Sequence, residues 1–163
     1  MRTGLLRGAL AGAAGTTALN AVTYADMAVR GRAASGAPQE LVARFAEDAG
    51  VSVPGDEHTR ENRLQGLGPL VGAGTGIAVG ALAGLLDQAL ARRGYRMPAA
   101  LEAALIGGAA MALADVPLKV FRVSDPKTWT AKDWASDIVP HLVFGAVTVA
   151  GLRRPGTARR RRF

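Results

Sequence analysis

The sequence predicts an all-α integral membrane protein: a four-helix bundle with a short amphipathic helix in its first loop. Three observations lead there. Several stretches approach the ~20 apolar residues that a helix needs to cross the hydrocarbon layer of a bilayer. The chain is 49% hydrophobic but only 5% aromatic, with 21 glycines in 163 residues, so its apolar mass is mostly Ala, Gly, Leu and Val, a composition suited to closely packed helices. Finally, Gly68, Gly72, Gly76, Gly80 and Gly84 recur at every fourth position of the run GLGPLVGAGTGIAVGALAGLL. In water each glycine would cost such a helix about 1 kcal/mol relative to alanine. In lipid the backbone has no other hydrogen-bond partner, so the helix is enforced and the missing side chains become a groove for a second helix.

The whole chain reads as a single membrane domain. The first span covers residues 5–29, with Arg2 and Arg7 near its start and Arg30 and Arg32 behind it. Arg7, Asn20 and Asp26 interrupt its apolar run, which argues against a cleaved leader. Residues 31–66 form one long polar connection on the outer side. Within it, Pro38 suits a helix start, Leu41, Val42, Phe45 and Ala46 share a face, and Gly50 can end the helix, which predicts a short amphipathic element. The charged stretch Asp56 to Gln65 fits either a loop or a polar extension of the next helix.

The second span covers residues 67–90 and is followed by Arg92, Arg93 and Arg96. Pro98 opens the third, over 98–116, and Pro117 stops or kinks it. The loop SDPKTWTAKDWASD has a capping-box spacing at Thr130 and Asp133, and its Trp129 and Trp134 belong at headgroup level. The fourth span, 134–152, is the shortest in apolar residues and must carry Pro140 within it; a basic tail, 153–163, follows. With both termini cytoplasmic in the cell membrane, 11 of the 20 Lys and Arg residues fall inside, including the dense Arg159 to Arg162 tail, and that sets the expected orientation. The net charge of +7 is then assigned to topology and to contact of the tail with anionic headgroups. Nucleic acid is not expected, because no aromatic-interleaved basic module accompanies the arginines.

At about 100° per residue, glycines four apart drift by about 40°, so the ladder winds around its helix and a partner must cross it. The first span offers Gly4, Gly8, Gly12, Thr16 and Asn20. The sequence therefore predicts packing of Gly8 and Gly12 against the Gly68 to Gly84 row, with interhelical hydrogen bonds from Thr16 and Asn20. Acids fall on the small faces of the first three spans: Asp26, Asp87, and Asp115 beside Ala104, Gly108 and Ala112. In the fourth span His141 shares a face with Gly145 and Thr148. Ionisable groups in a bilayer tend to face other helices, so Asp26, Asp115, Asp137 and His141 are expected to gather at the outer end near Lys119 and Arg122. Asp87 would sit at the inner end within reach of Arg92 or Arg93, and Glu102 beside Arg96. The cluster has two readings: a protonatable or cation-binding vestibule, or acids simply paired with nearby cations.

No further chemistry is signalled. The sequence lacks a phosphate-binding GxxxxGK[ST], an HExxH and a GxSxG, and the run from Gly66 to Gly72 lacks GxGxxG spacing. Without cysteine there is no thiolate site or disulfide. His58 beside Asp56 and Glu57 reads as a solvated histidine. No cofactor, metal or enzymatic activity is expected. The stretch SDPKTWTAKDWASDIVPHLVFGAVT, with the Gly-rich spans before it, resembles small polytopic membrane proteins of high-GC bacteria over roughly residues 66–152. That resemblance implies membrane residence and a four-helix layout but brings no activity or functional residues. The expected role is a structural or accessory one through helix packing, as a homo-oligomer or with a larger membrane partner. The alternative is a small transporter or proton-linked channel subunit using the outer Asp/His cluster.

Overall fold

The structure is a computed structural model and describes residues 2–153; the tail from Arg154 to Phe163, with Arg159 to Arg162, lies outside the described residues. Among the described residues there are five α-helices and no strand: α1 Arg2–Arg30, α2 Ala37–Asp48, α3 Glu57–Arg92, α4 Ala99–Val120 and α5 Ala131–Arg153. The charged stretch after Pro54-Gly55 is helical. Asp56 caps α3, its carboxylate accepting the Thr59 N–H at 2.7 Å, so the helix starts ten residues before its apolar part. Likewise α4 continues past Pro117, which stands inside it, and α5 carries Pro140 within it. The predicted capping box opens α5: the Thr130 N–H donates to Asp133 at 2.9 Å and the Asp133 N–H donates back to Thr130 Oγ1 at 3.3 Å.

Two helix ends use the same turn with different residues. At the end of α3, Gly94 (φ +74°) lets its own N–H reach the Ala91 carbonyl and the Tyr95 N–H reach that of Leu90. At the end of α4 the same left-handed position is held by Arg122 (φ 58°), with matching bonds from Arg122 to Lys119 and from Val123 to Leu118.

Three helices, α3, α4 and α5, are long and apolar enough to cross a membrane. The 29-residue α1 is long enough, but Thr16, Thr17, Asn20, Thr23 and its glycines dilute its apolar content. In each of the three apolar helices only 22–33% of the most apolar stretch is buried, and Leu70, Leu82, Leu86, Leu105, Leu113 and Val116 are exposed. The apolar surface thus faces outward, while the interior is filled mostly by small residues.

The four long helices run antiparallel to their main neighbours. α1 packs along both α3 and α5, α5 packs along α4, and α3 touches α4 only lightly. Phe144, 1% exposed, and Thr148, fully buried, stand at the centre among Ala11, Val79, Ala110 and Val149.

The contacts of α1 with α3 run through Gly4, Gly8 and Gly12 against Gly84, Gly80 and Gly76: a Cβ added at Gly8 would collide with the Gly80 carbonyl, and one at Gly80 with the Gly12 Cα. The ladder does not act as one surface, however. Gly68 faces Pro38 and Gln39 of α2, and Gly72 faces open space. The 40° drift per step carries the lower glycines off the α1 side of the helix. Two further glycine contacts complete the packing: Gly15 of α1 against Phe144 and Thr148, and Gly107 of α4 against Gly145 of α5.

Two expected hydrogen bonds do not form. The Thr16 hydroxyl turns back to the Gly12 carbonyl of its own helix at 3.0 Å, because that acceptor lies one turn away while only glycine stands opposite. Asn20 is exposed, on the side of α1 that neither α3 nor α5 covers. Ala104, Gly108 and Ala112 are also exposed: α4 meets α5 through Ala103 and Gly107, one position around the helix from that face.

Candidate polar site at the loop end of the helices

The ends of α1 and α4 and the start of α5 come together at the end of the molecule opposite the chain termini. On α5, Asp137 and His141 are one turn apart. His141 Nδ1 lies 2.9 Å from the Asp137 carbonyl oxygen and 3.2 Å from its carboxylate Oδ1. Both neighbours are acceptors, so the ring proton belongs on Nδ1 and Nε2 is the nitrogen left for exchange. The other carboxylate oxygen, Asp137 Oδ2, is buried and has no hydrogen-bond partner among the described residues. Across the helix contact, the Asp115 carboxyl of α4 is near enough to Asp137 and His141 to interact electrostatically with both. The Gly107–Gly145 crossing makes this approach possible, since it lets the two backbones touch two turns away.

Asp26 reaches the same end but not this triad. Arg30 donates to its carboxylate at 3.1 Å and Arg32 donates from Nε, while Arg30 also reaches Ser136 Oγ at 2.7 Å. Its cations are therefore those that follow it on its own chain segment, in place of Lys119 and Arg122. Ser136 precedes Asp137, so the ion-pair group and the triad stand side by side at the start of α5. Trp129 and Trp134 flank the capping box as an edge-to-face pair, ring centroids 5.0 Å apart, with Trp129 Nε1 donating to Ser124 at 2.9 Å. Over the same end lies α2, which buries no side chain fully and meets the residue that caps α4 through the ring pair Phe45–Phe121, 6.0 Å apart.

At the opposite end Glu102 pairs with Arg153, 2.6 Å away, and not with Arg96. Arg153 also donates to the Met97 carbonyl at 2.6 Å, tying the start of α4 to the end of α5. Gln88 donates to Thr3 at 3.0 Å and joins the end of α3 to the start of α1. Asp87 lines a groove with Tyr95, Arg96 and Glu102. His58 is exposed on the first turn of α3, 3.3 Å from Asn62.

Chemically, the triad is two carboxyl groups and an imidazole with one buried oxygen lacking a donor. No group of three His, Cys, Asp or Glu residues among the described residues has the geometry to hold a metal ion. The Asp137–His141 spacing is legible as an i,i+4 pair; the Glu102–Arg153 pair, 51 residues apart, has no local signal. Comparison of the chain with protein-family models, with curated proteins and with solved structures gave no match.

Proposed function

We propose that the chain is a multi-pass protein of a bacterial cell membrane, crossing it four times with both termini on the cytoplasmic side. It acts there as a structural or accessory subunit that packs against a further membrane helix. The outward apolar surface supports residence in lipid, and α1 serves as the fourth crossing because α3 and α5 flank it. One observation carries the accessory role: a Cβ added at Gly108 would meet nothing within 4 Å, and Gly108 stands between the exposed Ala104 and Ala112. That smooth strip on α4 is left uncovered, and in lipid such a strip favours close approach of another helix.

The test is native electrophoresis and cross-linking in membranes of wild type and of Gly108→Leu/Ala112→Leu. The expected result is a larger species for wild type that the double variant loses while still inserting. A wild type that is monomeric in membranes overturns the accessory reading.

The Asp115–Asp137–His141 triad supports a second reading, a proton-linked role, because a proton held between the two carboxyls would give Asp137 Oδ2 its missing partner. Proteoliposomes loaded with a pH-sensitive dye test it. Wild type must pass protons faster than Asp115→Asn, and equal rates overturn that reading.

A further inference from the structure

The light contact between α3 and α4 leaves a groove at the terminal end of the molecule. Its walls are Leu86 and Leu90 from α3 and Leu105 and Ile106 from α4, and Tyr95 and Arg96 stand at its mouth. A second apolar groove runs along the other flank of α3, past Leu82, Leu85 and Ala89, and ends at Gln88 and Arg92. Leu86 borders both, so a single side chain divides two channels, one lined by Arg96 in the α3–α4 turn and the other by Arg92 at the end of α3.

The charges at this end are not used up internally. Among the described residues, Arg92, Arg93 and Arg96 make no ion pair, while Glu102 is already held by Arg153. Asp87, inside the first groove, is the remaining carboxylate there and can accept a hydrogen bond from a hydroxyl group.

We infer that this end of α3 binds one anionic two-chain phospholipid with an uncharged, hydroxylated headgroup. One acyl chain lies in each groove on either side of Leu86, and the phosphate sits between Arg92 and Arg96. Guanidinium groups suit that phosphate because they present paired donors to its oxygens. Two apolar channels on either side of Leu86, each with one arginine in its lining, match the two chains and the phosphate of a diacyl lipid. A peptide would need backbone hydrogen-bond partners that these walls of Leu and Ala side chains do not offer. The inference rests on the membrane reading above, and none of its residues belongs to the basic tail.

The test is native mass spectrometry of the full chain in detergent, titrated separately with dioleoyl phosphatidylglycerol and dioleoyl phosphatidylcholine. Wild type is expected to bind the glycerol lipid about tenfold more tightly, as charge-assisted contacts allow, and Arg92→Gln/Arg96→Gln to lose that preference. Lys119→Gln/Arg122→Gln removes the same charge from the other end and is expected to keep it. Equal binding of the two lipids by wild type overturns the inference, as does equal loss in both double variants. Alkaline carbonate extraction separates the two readings: wild type released from membranes defeats membrane residence itself, whereas retained protein without lipid preference defeats only the lipid site.

Discussion

Gly145 of α5 lies directly against the carbonyl oxygen of Ala103 in α4, so closely that a single added methyl group would overlap it. The opposing atom is backbone, which cannot rotate away. Gly145→Ala is therefore expected to destabilise the fold by about 3 kcal/mol, the upper end for overpacking. Gly72→Ala meets nothing within 4 Å and should stabilise its helix by up to about 1 kcal/mol. Unfolding by SDS in mixed micelles, followed through Trp129 and Trp134, measures both.

The left-handed residue at the end of α4 yields a gain instead of a loss. Arg122 holds φ 58° where Gly94 serves the equivalent turn after α3. Arg122→Gly is expected to raise stability by about 1 kcal/mol, the strain an L side chain carries in that conformation. The same titration detects it as a higher midpoint with an unchanged slope.

Glu102 and Arg153 join the start of α4 to the end of α5 at 2.6 Å, with the carboxylate mostly shielded. A double-mutant cycle of Glu102→Gln and Arg153→Gln should give a coupling of about 1 kcal/mol, toward the high end for a partly exposed pair. Coupling near zero means that the Met97 carbonyl alone holds Arg153.

The cap of α3 carries a pH dependence. Hydrogen bonds from the Thr59 hydroxyl and backbone N–H hold the Asp56 carboxyl below its ordinary value of 3.8. A depressed folded-state value means that the cap is fully effective above about pH 4 and is lost as pH falls through the lower, folded value. Amide exchange at Thr59 and Arg60 should therefore lose protection in acid in wild type, while Asp56→Asn, a neutral cap, stays level.

How far this arrangement is legible from residues alone depends on the range of each interaction. Helix positions and caps follow from local chemistry: Pro38 and Gly50 bracket α2, and Thr130 and Asp133 announce α5. The glycine spacing of α3 is equally local, but the partner of each glycine is not. Gly68 ends beneath α2 because the ladder winds, and no periodicity says that Gly72 will be left open. Asp137 and His141 sit one turn apart by arithmetic, whereas Asp115 joins them only because α4 and α5 cross at Gly107 and Gly145. Glu102 has a near cation in Arg96 and takes a distant one, since Arg153 also finds the Met97 carbonyl there.

The position of α1 between α3 and α5 has a consequence in time. Both of its neighbours are translated after it, and α5 is complete only at Arg153. At the usual pace of synthesis the first helix waits on the order of ten seconds for its last neighbour. Gly8 and Gly12 bare their backbone until α3 is laid against them, and Gly15 bares its own until α5 arrives. The element that holds the finished molecule together is thus the one most dependent, while the chain is being made, on parts that do not yet exist.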